Sequence, residues 1–242
     1  MRYYYDLHLH SCLSPCGDRE CTPDSIAGMG ELNGLNIMAL TDHNTCKNCP
    51  AFFKAAERHG IVAVAGMELT TAEDIHVVCL FETLEDALKF DEEVSKRRVF
   101  YKNRKDIFGE QLILNEFDEV IGEEENLLIN ATMISLDEVP ELVARFSGIC
   151  YPAHIDKQSN SVIAVLGTFP ESPEFKFAEI HNRELKDDLE KVTNIPQSRF
   201  IVSSDAHYLW DIKEQEDFIE LDGDLSPDEV RKKLFAYLRG AK

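Results

Sequence analysis

Short apolar runs recur along the chain with stretches of helical periodicity between them, the pattern of a β/α architecture with a largely parallel sheet. Seven runs read as strands, at 2–7, 36–40, 61–65, 75–81, 148–152, 177–180 and 200–203. Helix signals fill the gaps. Thr22 can cap a helix that starts with Pro23, and Gly60 stops a helix containing 51–58. Ser135 with Glu138 and Ser226 with Glu229 form capping-box patterns, the second with Pro227 in the first turn, and the last helix closes at Gly240. Between the fourth and fifth strands the alternation fails: 83–146 carries helical patterns, a basic cluster and an acidic stretch, and reads as a small helical insertion or cap. The 242 residues fit one α/β barrel domain spanning 1–242 better than two domains.

Composition changes this picture only at the margins. An apolar share of 44% supports a proper core, and no run approaches the ~20 apolar residues that span a bilayer. The opening MRYYYDLHLH has no export-signal pattern, so a cytoplasmic protein is expected, with no membrane partner. Seven cysteines in a chain of this length are read as reduced thiols. The formal charge of −20 repels a nucleic-acid backbone, which makes nucleic acid an unlikely partner and favours a small phosphorylated substrate drawn in by cations. Bound cations would themselves offset several of those charges.

The chemistry begins at Asp6-Leu7-His8-Leu9-His10. Alternation on a strand points His8 and His10 to one side, where they can grip one metal; an isolated HxH fits a half-buried strand with two polar positions equally well. The position then recurs. Apolar 37–40 runs into Thr41-Asp42-His43, 61–65 into Glu68, 149–153 into His154, and 200–202 into Asp205-Ala206-His207. Strand tips at the C-terminal face are where β/α barrels build active sites. His76 opens its strand instead of ending it and is the awkward member. Carboxylates and imidazoles crowded at one mouth need cations to be stable, and this nitrogen and oxygen mixture suits Zn, Mn or Fe.

By the run Asp6-Leu7-His8-Leu9-His10-Ser11, then Thr41-Asp42-His43, Glu68, His76, His154 and Asp205-Ala206-His207, the chain resembles the polymerase and histidinol phosphatase (PHP) family. The resemblance implies a distorted (β/α)7 barrel with two or three divalent cations. One would take His8, His10, Glu68 and Asp205; a second His43, His207 and an acid from the first loop; a third would share Glu68 and add His76 and His154. The family usually places an Asp soon after the first motif, in Ser-Asp-Gly. Here Ser14 is followed by Pro15, Cys16, Gly17 and Asp18, so Asp18 is the expected ligand, with Cys16 or water as alternatives. The activity implied is hydrolysis of a small phosphomonoester, a nucleotide or amino-alcohol phosphate, by a metal-activated hydroxide, with Glu68, Asp205 and His207 as catalytic residues and Asp42 orienting His43. The alternatives are a nuclease acting on DNA or RNA ends and a non-catalytic module that binds metal and a phosphorylated ligand.

Substrate contacts are sought elsewhere. Lys96, Arg97, Arg98, Lys102, Arg104 and Lys105 form either a solvated helix face or a group, Arg98 among them, that reaches over the mouth to an anion. Arg183 is a comparable candidate, and His181 either contacts substrate or is a satisfied histidine. Cys46-Lys47-Asn48-Cys49 with Cys12, Cys16 and Cys21 matches no standard metal framework, so these thiols are read as packing. Tyr208 and Trp210 read as rim packing rather than base-stacking residues.

Overall fold

A computed structural model describes residues 1–223 and 225–240. All seven expected strands form, as β1 (Arg2–Leu9), β2 (Ile37–Leu40), β3 (Val62–Thr70), β4 (His76–Phe81), β7 (Ile149–Pro152), β8 (Ala178–Ile180) and β9 (Phe200–Val202). Three more were not expected: β5 (Leu112–Leu114), β6 (Val120–Glu123) and β10 (Phe218–Glu220). Helices α1 (Pro23–Leu32), α2 (Cys49–Arg58), α3 (Leu84–Ser95), α4 (Lys105–Phe108), α5 (Val139–Ala144), α6 (Val162–Leu166), α7 (Lys186–Thr193) and α8 (Pro227–Leu238) complete the set. Local chemistry explains their ends. Thr22 accepts from the Ser25 amide at the start of α1, Ser226 and Glu229 close a capping box on α8, and Gly60 takes a positive φ of 67° after α2.

The expected distorted (β/α)7 barrel appears as a half-barrel: a curled six-stranded sheet, in the order β10-β1-β2-β3-β4-β7, stands beside a separate β8-β9 pair. The ends of the two sheets meet through single hydrogen bonds: Ile155 N–H to the Glu179 carbonyl at 2.9 Å, and His10 N–H to the Ala206 carbonyl at 3.0 Å. The sheet is also not all parallel. β1, β2 and β3 run parallel, but β4 is antiparallel to both β3 and β7. Reversing β4 puts its first residue, His76, opposite Thr70 at the end of β3. The N-terminal end of β4 therefore lies at the edge where β1, β2, β3 and β7 have their C-terminal ends, which removes the awkwardness of a ligand at a strand start.

The 83–146 segment is likewise less helical than expected. It holds the β5-β6 hairpin, and two of its helices belong to the outer layer: Phe90 of α3 packs on Phe81 at 4.8 Å between ring centroids, and α5 packs on β7. Two apolar clusters sandwich the sheet. The inner one joins Leu7, Ile37, Val62, Val64, Val78, Tyr151 and Ile201 to Val230, Leu234 and Phe235 of α8, which closes the end remote from the ligands. The outer one carries α1, α2, α3 and α5. Among the described residues no helix is long and apolar enough to cross a membrane.

Within the sheet, Gly66 is tightly enclosed where β3 passes between its neighbours. A Cβ there would lie 2.7 Å from Thr41 Cγ2, 2.8 Å from Leu80 Cδ2 and 2.9 Å from the Cys79 carbonyl oxygen. Gly66→Ala is expected to destabilise the fold by about 1–3 kcal/mol through overpacking, read as a lower urea midpoint at unchanged slope. An unchanged midpoint would show that the strand can shift at no cost.

Candidate metal centre

The mouth of the curled sheet collects imidazoles and carboxylates from six strand ends. His8 and His10 come from the end of β1, His43 follows β2, Glu68 lies in β3, His76 opens β4, His154 follows β7, and Asp205 and His207 follow β9. His8, His10, His43, Glu68, His76 and His154 are all buried. His154 and Asp205 hold positive φ angles of 28° and 52°, a conformation costly for residues with a Cβ and one that surrounding structure must impose.

Five imidazoles converge on one carboxylate. Glu68 lies 3.4 Å from His8 Nε2, 3.2 Å from His10 Nε2, 3.1 Å from His43 Nδ1, 2.8 Å from His76 Nδ1 and 3.1 Å from His154 Nε2. Asp205 adds contacts of 3.4 Å to His8 and 3.2 Å to His10. Many of these approaches, unlike that of His154 Nε2, are not hydrogen bonds: Glu68 Oε2, His43 Nδ1, His76 Nδ1 and Asp205 Oδ1 are buried without a hydrogen-bond partner. Short distances with misaligned donors are what ligand atoms show when they aim at shared points between them. Three groups have their ligand atoms within 4.8 Å of one another: His8, His10, Glu68 and Asp205; His43, Glu68 and His76; and His10, Cys16, His43 and His207. The donor set suits divalent cations such as zinc, manganese or iron.

The imidazoles are oriented from behind. His8 Nδ1 donates to Glu179 on β8, at 2.9 and 3.0 Å to its two oxygens, which leaves Nε2 facing the cluster. His10 Nδ1 donates to Ser14 Oγ at 3.1 Å, and Ser14 in turn donates to Asp42 Oδ1 at 2.7 Å. Asp42 therefore acts through Ser14 on His10; it makes no hydrogen bond to the His43 ring it was expected to orient. Glu179 was missed because a lone Glu in the apolar run Phe177-Ala178-Glu179-Ile180 carries no motif. Its signal was an inward carboxylate at the same parity as Phe177.

Other expected contacts are not brought to the site. The Asp18 carboxylate turns away and accepts the Glu20 amide at 2.8 Å, while Cys16 takes the place in the cluster. Arg183 is exposed and paired with Glu216 and Asp217 at 2.7 and 2.6 Å, and His181 is exposed with its amide on Asp156. Arg98 turns inward beside Glu124 at 3.6 Å instead of over the mouth. Lys96, Arg97, Arg104 and Lys105 sit in surface ion pairs. None of these lines the cavity of about 130 Å³ that opens onto Glu68, His76, His154 and Asp205. Lys157 does, with Nζ 2.6 Å from Asp205 Oδ2, and no sequence motif marks it.

Electrostatics fit the same picture. Burial would raise the Glu68 carboxyl, but His76, His8 and His43 outweigh it and hold it well below the usual carboxylate range. Burial opposes a charge on His10, yet the adjacent carboxylates of Asp205 and Glu68 push its pKa up to about 9. Burial and the His10 charge push His207 down to about 4. Without cations, protons thus take their place between the rings and the carboxylates. A raised histidine stabilises the fold fully below its ordinary value of 6.5 and loses that contribution as pH climbs through about 9. Chelator-stripped protein is expected to melt at steadily lower temperature from pH 6.5 to 9, while cation-saturated protein keeps its melting temperature across that window, as scanning calorimetry would read. Parallel pH profiles for the two forms would contradict this.

Comparison with known proteins bears on the same residues. The family model of the PHP domain matches residues 6–166. Over 75 residues the chain is 35% identical to DNA polymerase III PolC-type of Bacillus subtilis, a match covering 28% of this chain and 5% of that protein. Over 79 residues it is 34% identical to the 5'-3' exoribonuclease of Haemophilus influenzae, covering 31% of this chain and 28% of that protein. The chain thus spans only a small part of the curated relatives it matches. The crystal structure of endonuclease Q in complex with a 27-mer duplex bearing an abasic lesion at the active site superposes with a TM-score of 0.65 at 19% identity, over 100% of this chain and 57% of that one. This likeness corrects the expectation that a charge of −20 makes nucleic acid an unlikely partner: the same fold accommodates a duplex in endonuclease Q. A whole-chain sum counts charges far from the mouth, which salt screens beyond about 8 Å, and counts carboxylates that face cations. On the match over 6–166, with the strand-end histidines and carboxylates gathered as described, the chain belongs to the PHP-domain family, whose members are metal-dependent hydrolases.

Proposed function

We propose that this chain is a metal-dependent phosphodiesterase that cleaves nucleic acid. The observation that carries the reading is the set of buried ligand-type side chains at one mouth, with Lys157 beside Asp205 and an exposed aromatic stack that starts one residue after His207. Trp210 is 70% exposed and lies on Tyr208 at 4.8 Å between centroids with 17° between planes. Tyr208 also lines a cleft of about 440 Å³ that reaches Cys16 and Arg19. Tyr208 follows His207 directly along the chain, and an exposed indole face stacked on it suits a chain of stacked bases better than a free monoester. This replaces the rim-packing role expected for the pair.

In this reading His8, His10, Glu68 and Asp205 hold one cation, His43 and His207 contribute to a second, and Glu68 with His76 and His154 to a third. Bound there, the cations would supply Lewis acidity to the phosphoryl oxygens and a stronger nucleophile at neutral pH. The chain's own groups do the rest. Glu179 and the Asp42–Ser14 pair fix the two rings of β1, so the ligand atoms need not reorganise when substrate arrives. Lys157 is held charged because Asp205 outweighs the cost of its partial burial, and it is placed to meet a phosphate oxygen at the cavity. Trp210 and Tyr208 position the neighbouring base.

The test uses end-labelled single-stranded RNA, single-stranded DNA and an abasic duplex, with zinc, manganese or iron added to stripped protein. Cleavage of at least one polymer is expected, and Glu68→Gln and Asp205→Asn should abolish it. Lys157→Ala should lower kcat/KM on the order of a hundredfold, the scale of losing one preorganised donor to developing charge. Trp210→Ala should instead raise KM by roughly tenfold with kcat preserved, within the ~1–3 kcal/mol that stacking on one base contributes. Turnover of phosphomonoesters with every labelled polymer left intact would overturn the proposal.

A further inference from the structure

We propose that Cys16 ligates a cation together with His43 and His207, giving one position of the centre a thiolate that favours a soft cation such as Zn²⁺ over Mn²⁺ or Mg²⁺. The Cys16 sulfur lies in the group whose ligand atoms all fall within 4.8 Å of one another, with His10, His43 and His207. His10 is already committed to the neighbouring group: Ser14 holds its Nδ1, and its Nε2 faces Glu68 and Asp205 at 3.2 Å each. That leaves Cys16, His43 and His207 as three protein ligands, the number that leaves a fourth, open position on zinc.

Both rings of this group keep a nitrogen that no hydrogen bond uses. His43 Nδ1 is buried without a hydrogen-bond partner, and His207 Nδ1 is used by the Asp205 carbonyl at 2.7 Å, so its Nε2 is the atom left to bind. The loop that presents the sulfur is built, not loose. Ser14 N–H bonds the Ser11 carbonyl at 3.0 Å, Gly17 N–H the Ser14 carbonyl at 2.9 Å, and Asp18 N–H the carbonyl of His207 itself at 2.8 Å. A Cβ at Gly17 would sit 2.3 Å from the Ser11 carbonyl oxygen, so the turn that swings Cys16 inward needs glycine there. The same turn sends Asp18 outward. Thiolate is a softer donor than the carboxylate expected from the first loop, and the choice between them sets which cation binds most tightly.

The inference rests on the site holding cations and is independent of which phosphoester is cleaved, so its test reads ligation alone. Stripped protein is titrated with Co²⁺ and its near-ultraviolet absorbance followed for the sulfur-to-cobalt charge-transfer band. The native chain is expected to show the band, Cys16→Ser to lose it, and Cys21→Ser, whose thiol donates to the His207 carbonyl, to keep it. Cys16→Asp should retain the cobalt content of the native protein by elemental analysis while losing the band. A band that survives in Cys16→Ser, or none in fully loaded native protein, would overturn the proposal. Should Cys16→Ser not fold, the native protein decides the matter: zinc is expected to protect Cys16 from iodoacetamide in peptide mass spectrometry where Mg²⁺ does not, and equal labelling would refute it.

Discussion

A single buried carboxylate, Glu68, stands within 3.4 Å of five imidazoles carried by four different strand ends, and the inner face of the sheet is arranged around that fact. Such a group cannot be satisfied internally. A neutral imidazole offers one donor and one acceptor, and five rings aimed at two oxygens leave lone pairs facing lone pairs. Protons or cations must fill the gaps, and a buried charge without a partner is far more costly than the folding free energy could absorb. The centre therefore needs protons or cations between its groups, and the hydrogen bonds behind it keep the rings pointed inward. Glu179 behind His8, and Ser14 with Asp42 behind His10, perform that service from β8 and from the first two strand–helix connections.

Strand direction decides how so many ligands reach one mouth. With β1, β2, β3 and β7 running one way, their C-terminal ends supply His8, His10, His43, Glu68 and His154. β4 runs the other way and brings its first residue, His76, to the same edge. A tight β3–β4 connection, in which the Ile75 carbonyl accepts from Thr71, replaces the crossover helix that a parallel partner would need. The price is an open curve: β8 and β9 form their own ladder, and their backbone meets that of the six-stranded sheet and its loops beside Ala206 and Glu179. Those tips are where Asp205 and His154 adopt left-handed backbone angles, so the seam and the strained ligands coincide.

The seven principal strands and the gathering of histidines at their ends were legible in the sequence because both are local signals: an apolar run, then a polar tip. What failed to show was anything set by direction or by partners. Antiparallel β4 has the same periodicity as a parallel strand, so His76 looked misplaced until its neighbour's heading was known. The hairpin of β5 and β6 is short, with β6 largely exposed, and carries too few apolar positions to separate it from a helical insertion. Arg183 and Arg98 were sought at the mouth for their charge, but Glu216, Asp217 and Glu124 claim them, and no spacing rule reports a pairing across 33 residues or 26. Lys157 was overlooked for the converse reason: an isolated lysine in a polar loop has no pattern until Asp205 is found beside it.

Division of labour follows from where each group is mounted. Ligands sit on strand ends pinned by main-chain ladders, and the rings' outer nitrogens are tied to carboxylates or hydroxyls, so the chemistry occupies the most rigid part of the molecule. Groups suited to recognising a substrate, Lys157, Tyr208 and Trp210, lie on the loops after β7 and β9, where substitution costs little stability. That separation also explains why total charge is a poor guide to what such a mouth accepts. Surface carboxylates such as Glu85 and Asp188 are already paired, with Lys89 and Lys191, whereas the potential at the cavity is set by the buried carboxylates and imidazoles, any cations bound between them and the Lys157 ammonium. A polyanion approaching that edge meets the second set of charges, not the first.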